Sequence, residues 1–128
     1  MLTITDARGI TYLTNTYDSN GRVATQTQAN SGLFDFDYTL DGSGNVTRTD
    51  LTDPRGFVQR TTFDSAGYAL TITGALGTSL ARTTTIDRES TTHRATSVTD
   101  PLNRETTYGC RGRRRVRTHT AIARIVMV

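Results

Sequence analysis

The chain predicts an all-β fold, an antiparallel meander of repeated β-hairpins, on three observations. Asp18, Asp41, Asp64 and Asp87 recur every 23 residues, each after an apolar residue: Tyr17, Leu40, Phe63 and Ile86. Turn signatures of four residues start 10 to 13 residues apart along the chain. Between them, apolar residues alternate with period two rather than 3.6. A fixed internal period marks an array of one small structural unit, so it constrains the fold before any single residue does.

The turns come first. Asp6-Ala-Arg-Gly9, Asp18-Ser-Asn-Gly21, Ala29-Asn-Ser-Gly32, Asp41-Gly-Ser-Gly44, Asp53-Pro-Arg-Gly56, Asp64-Ser-Ala-Gly67, Gly74-Ala-Leu-Gly77, Asp87-Arg-Glu-Ser90 and Asp100-Pro-Leu-Asn103 share one pattern. A leading Asp accepts a hydrogen bond from a backbone N–H two residues on and starts the turn. Pro54 and Pro101 stand second, where a fixed φ suits type I or II geometry. Glycine in fourth place supplies positive φ without a Cβ clash, and Asn103 is its mildest replacement. Ser90 fits less well, which predicts a longer or differently shaped turn after Asp87. A looser register of 47 residues links Asp6, Asp53 and Asp100.

The segments between turns read as strands. Leu33-Phe-Asp-Phe-Asp-Tyr-Thr-Leu40 puts Phe34, Phe36, Tyr38 and Leu40 on one face and Asp35, Asp37 and Thr39 on the other. Residues 10–17, 57–63 and 68–73 are similarly rich in β-branched and aromatic residues. Regular short strands between Gly/Asp/Pro turns indicate a meander in which one period makes one hairpin. About nine strands are expected over residues 1–108, each of up to roughly eight residues, or about 26 Å.

Composition limits what such a sheet can bury. The hydrophobic share is 34 %, below the about 45–50 % usual for globular domains, and Thr, Ser, Gln and Asn fill many strand positions. One modest apolar face and one wet face follow. No run approaches the about 18 apolar residues of a membrane-spanning helix. The net charge of +3 is unevenly spread. Residues 1–108 hold nine arginines against all twelve acids, a net −3, whereas residues 109–128 hold six arginines and no acid. Nothing in the repeat body therefore suggests a nucleic-acid groove. A lone Cys110 allows no internal disulfide, and the first residues carry neither a charged nor an apolar leader region, so no signal peptide is expected.

At residue 109 the pattern stops. Thr106-Thr107-Tyr108 parallels Thr61-Thr62-Phe63, yet Gly-Cys-Arg-Gly-Arg-Arg-Arg follows where Asp-x-x-Gly is due. Residues 109–128 therefore form an off-pattern basic tail with three open readings: a basic nucleic-acid or localisation signal, a solvated or disordered arm, or a frameshifted or truncated end. The abrupt loss of register favours the last.

Tyr17-Asp18-Ser-Asn-Gly21-Arg22-Val23, Phe63-Asp64-Ser-Ala-Gly67 and Thr52-Asp53-Pro54-Arg-Gly56 resemble the YD repeats of the Rhs family, over about residues 5–108. The resemblance rests on the number of hits at fixed spacing, since only the first unit has the full Tyr-Asp. It implies a non-catalytic scaffold: an open fragment of a hollow β-shell that encloses a toxin domain in bacterial members. The implied partners are the remainder of that shell or a toxin domain in a full-length parent, and the implied location is extracellular or the cell surface. The aspartyl self-cleavage region of that family has no counterpart here, and Asp53-Pro54 and Asp100-Pro101 are ordinary repeat turns.

Candidate chemistry reads thinly. The turn aspartates lack the several oxygen ligands at fixed spacing that calcium loops need. Asp35 and Asp37 lie on one strand, whereas glycosidase carboxylates normally flank a bond from separate elements. His93 and His119 with one cysteine offer no zinc spacing, and no Gly-x-Ser-x-Gly elbow accompanies a serine. Phe34, Phe36 and Tyr38 suit sheet packing better than sugar stacking. The expectation is no enzyme, no cofactor, no metal and no catalytic residue. The alternative is an extracellular module that binds carbohydrate or a partner surface. Open sheet edges also predict self-association.

Overall fold

The computed structural model describes the backbone of residues 1–111 and 114–120 and the side chains of residues 1–109. Eleven strands form one sheet among the described residues: β1 (Leu2–Thr5), β2 (Thr11–Tyr17), β3 (Val23–Gln28), β4 (Leu33–Leu40), β5 (Val46–Thr52), β6 (Val58–Phe63), β7 (Ala69–Gly74), β8 (Arg82–Arg88), β9 (Ala95–Thr99), β10 (Glu105–Arg111) and β11 (Arg114–Thr120). Their spatial order is their chain order and every neighbouring pair is antiparallel. The fold is an open antiparallel β meander.

The expected count of about nine strands falls one short over residues 1–108. Nine corners separate ten strands, and β1 precedes the first corner. Strand pairing also crosses residue 109: Tyr108 stands opposite Arg117 and Gly109 opposite Val116 in the β10–β11 hairpin. Residues 112–113 and 121–128 of the basic tail lie outside the described residues.

Alternate corners of a meander lie at the same end of its sheet, which gives both sequence registers a physical meaning. The corners at Asp18, Asp41 and Asp64 sit at one end. Those at Asp6, Asp53 and Asp100 sit at the other, interleaved with two corners of different sequence. One hairpin thus accounts for the 23-residue period and two hairpins for the 47-residue spacing.

Two corner assignments shift by a residue or more. The turn expected at residues 29–32 is closed instead by Ser31 N–H donating to the Gln28 carbonyl, at 2.9 Å. Ser31 takes the left-handed position, φ 63°. Gly32 is crowded rather than left-handed: a Cβ there would meet Asn30 Oδ1 at 3.0 Å and Pro54 Cγ at 3.2 Å. Gly74 closes β7 rather than opening a turn, and residues 75–81 form a longer loop whose Leu76 N–H donates to the Val58 carbonyl at 2.9 Å.

After Asp87 the expected irregular turn appears two residues later. Glu89 N–H donates to the Arg94 carbonyl and His93 N–H to the Glu89 carbonyl, both at 2.9 Å. Asp87 itself lies within β8 and accepts the Ser97 hydroxyl at 2.7 Å. The fourth member of the 23-residue series is therefore a strand residue, not a corner.

The sheet is a single layer, and its faces follow the alternation. Phe34, Phe36 and Tyr38 of β4 are half-buried, while Asp35, Asp37 and Thr39 are exposed. Phe36 stands opposite Leu51, Tyr38 opposite Thr49, and Ile86 opposite Val98, all on the apolar face. Leu40 departs from it: a register shift between Thr39 and Leu40 leaves Leu40 40 % exposed. The other face is lined with threonines, whose hydroxyls meet across strands at Thr16–Thr25 (2.7 Å), Thr62–Thr71 (2.6 Å) and Thr73–Thr83 (2.9 Å).

Among the described residues no hydrophobic one is buried, and Ser97 is the one residue that is. Cohesion comes instead from the backbone ladder and from half-covered cross-strand pairs, each worth roughly 0.2–1 kcal/mol. Phe36→Ala should therefore cost about 1–2 kcal/mol, well below the about 3–5 kcal/mol lost from a closed core. A urea titration of the variant measures it.

Candidate functional site

The most ordered chemistry in the molecule lies at its corners. At Asp6, Asp18, Asp41, Asp53, Asp64 and Asp100, Oδ1 accepts two backbone N–H groups, from the residues two and four positions on. The distances run from 2.8 to 3.0 Å. The aspartate's own N–H donates to the carbonyl four residues on, and the fourth residue donates back to the aspartate carbonyl, as in Asp18–Arg22 (2.8 Å) and Gly21–Asp18 (3.1 Å). Glycine at that place has φ between 77° and 86° at five of these corners, and Asn103 takes it with φ 59° at the sixth. This is the hairpin loop in which a left-handed residue forms a bulge that matches the twist of the strands.

The second oxygen is also committed, which sequence reading missed. Oδ2 accepts from Arg8 on Asp6, Arg22 on Asp18, Asn45 on Asp41, Arg55 on Asp53 and Arg104 on Asp100. A signal was available: each of these corners carries Arg or Asn two or four residues after the aspartate. The Asp64 corner has Ala66 and Tyr68 there. Its donor comes from another hairpin, His93 Nδ1 at 2.9 Å.

These contacts stabilise the ionised form. Hydrogen bonds from the side chains of Arg8, Asn45, Arg55 and Arg104 are the first cause holding Asp6, Asp41, Asp53 and Asp100 below the usual carboxylate range. For Asp18 and Asp64 the backbone N–H of Arg22 and of Tyr68 leads. Asp50, on the threonine face, is lowered first by the Arg60 guanidinium, which binds it through Nε at 2.8 Å and Nη2 at 2.7 Å.

Asp35 and Asp37 come together on that same face without forming an acid/base site. Asp37 stands opposite Asp50, Asp35 opposite Thr25 and Thr52, and neither forms an ion pair among the described residues. No group of three or more His, Cys, Asp or Glu that could hold a metal ion occurs among the described residues. His119 and Cys110 lie where side chains are not described. No hydroxyl is bonded to the His93 ring among the described residues; its partner is Asp64, and its face stacks on Tyr68 with centroids 5.2 Å apart. Among the described residues no helix is long and apolar enough to cross a membrane.

The aromatics of β4 divide. Tyr38 is tied down: its hydroxyl donates to the Val23 carbonyl at 2.8 Å, and Arg22 lies over its ring at 5.1 Å. Burial pushes its phenol up, with the Asp18 charge adding to that. Phe34 instead borders an open cavity of about 430 Å³ at the Asp53 end of the sheet, together with Leu51, Arg55, Phe57, Gln59 and Leu80. Arg55 lies over the Phe57 ring at 5.4 Å. No protein-family model and no curated protein matches this chain.

Proposed function

We propose that the chain is a non-catalytic structural segment: wall material that works as part of a larger β-shell resembling that of the Rhs-type YD-repeat proteins. The observation that carries this reading is the single-layer meander without a closed apolar core among the described residues. Such a sheet has a half-covered apolar face and an open edge strand, both of which call for more protein. Its ordered carboxylates are spent on shaping corners, an architectural use. The remainder of a repeat shell, or a toxin domain within one, is the partner this reading supplies. Location outside the cell or at its surface rests on the family resemblance alone.

Wall material must extend through its edges. Edge strand β1 exposes Leu2 and Ile4 (54 % and 40 %) beside an unpaired backbone, the arrangement that recruits further strands. Sedimentation velocity on the full chain over a hundredfold concentration range is expected to show association. Ile4→Lys, a charge on the edge, should suppress it. A monomer at every concentration, melting sharply at a concentration-independent temperature, would refute the scaffold reading.

The cavity beside Phe34 and Phe57 favours a second reading, a carbohydrate-binding module. Its volume falls in the range of small-ligand sites, about 300–1,000 Å³, and its lining includes the rings of Phe34 and Phe57 and the planar polar groups of Arg55 and Gln59. A glycan array separates the two. Hits that vanish in Gly74→Phe, a substitution whose Cβ meets nothing within 4 Å, support binding, and a blank array leaves the scaffold.

A further inference from the structure

We propose that the contact between Asp64 and His93 is a protonation-controlled clamp that joins two successive corners at one end of the sheet. The β6–β7 corner differs from the other five aspartate corners in the origin of its second donor. They use arginine or asparagine of their own loop, groups whose charge is constant across the neutral range. Asp64 uses an imidazole 29 residues away, at 2.9 Å, and imidazole is the side chain that changes charge between about pH 5 and 8.

The geometry makes that bond consequential. His93 sits at φ 55°, a left-handed position that costs a non-glycine residue free energy unless its surroundings hold it. What holds it is the contact with Asp64 and the stack on Tyr68, whose planes lie 15° apart. Its own N–H donates to Glu89 and so closes the β8–β9 corner. Loss of the ring's contacts therefore leaves the corner held only by its backbone bonds and by Arg88.

The charges facing the ring are of both signs. Asp64 and Tyr68 come from the β6–β7 corner. Arg88, at the end of β8, donates to the His93 carbonyl at 2.8 Å and to the Ala69 carbonyl at 2.9 Å, and lies over Tyr68 at 5.3 Å. Within the loop, Glu89 accepts the Thr92 hydroxyl, and Arg94 follows the histidine. Asp64 is the group bonded to the imidazole itself, so the cationic ring gains a charge-assisted bond. The neutral ring keeps only an ordinary hydrogen bond. The clamp is closed when the ring is cationic and weakened when it is neutral.

Hydrogen exchange of the full chain, corrected for intrinsic rates, tests this at the Glu89 and His93 amides. Protection at pH 5 should exceed that at pH 8 by roughly two- to fivefold, the worth of a partly exposed ion pair. The Asp18 corner, neutralised by Arg22, should show no change. His93→Asn, which tolerates the left-handed conformation but does not titrate there, should abolish the difference while the sheet stays folded. Equal protection at both pH values would mean that Arg88 cancels the effect of Asp64. Either that result or an unchanged difference in His93→Asn would overturn the proposal.

Discussion

Acidification should unfold the sheet at its corners, in a pH range where most small domains are still folded. Seven carboxylates, the six at corners and Asp50, are held below their ordinary range by donors that exist only in the folded chain. The unfolded chain returns them to about 3.9. In the acid range it then binds more protons than the folded chain, so stability rises with pH there. The contribution is complete above the unfolded value and is lost as pH falls through about 4 towards the lowered folded values. Urea midpoints followed by far-ultraviolet circular dichroism should be insensitive to these groups between about pH 5 and 7 and drop steeply below about 4.

The same experiment separates corner chemistry from general charge repulsion. Asp41→Asn keeps an oxygen for the Ser43 and Asn45 amides but removes one titrating group. It should flatten the acid slope by lowering the midpoint at neutral pH while leaving that at pH 3 nearly unchanged. A midpoint at pH 3 equal to that at pH 6 would show that the aspartate corners do not hold the sheet together.

Two glycines should respond to the same substitution with opposite signs. Gly56 has φ 84°, and Gly74, within β7, has no such constraint and nothing within 4 Å of a built Cβ. Gly56→Val forces a β-branched residue into the left-handed region, at a cost of about 2 kcal/mol. Gly74→Val removes the backbone entropy penalty of a strand glycine and adds a good strand former, a gain of about 0.5–1 kcal/mol. Thermal melts of the two variants should therefore shift in opposite directions. Destabilisation of similar size in both would place a turn at Gly74 after all.

The turn signature Gly74-Ala-Leu-Gly77 shows why that pair could not be separated beforehand. Glycine at either end of a short loop looks alike in sequence, because its conformational freedom permits both strand and left-handed geometry. The Ala29–Gly32 signature misled for a related reason: Gly32 is not the left-handed residue of its corner, and it lies close to Pro54, from a corner two strands away. Asp87 kept the period of its predecessors yet lies inside a strand, since β8 runs on to Arg88 and its corner starts two residues later, at Glu89.

Alternation, by contrast, was legible almost to the residue. Leu33–Leu40 is β4 with the bounds the pattern implied, and its aromatic face is the half-buried one. Only Leu40 turned away, because the bulge next to the aspartate corner shifts the register by one position. The corner aspartates were likewise readable as turn formers. Their second acceptor was not, although arginine or asparagine two or four places on recorded it in five of the six cases.

What the order of residues establishes alone is local: strand periodicity, corners of Asp and Gly, and the repeat that makes consecutive strands neighbours. Hydrogen bonds within a hairpin span few residues, so short-range chemistry suffices to specify them. The bridge from Asp64 to His93, the crowding of Gly32 by Pro54, the cavity under Phe34 and the absence of a closed core among the described residues belong to the assembled sheet. Each depends on the strand spacing and register that bring distant residues within a few ångströms, and no pattern along the chain encodes such distances.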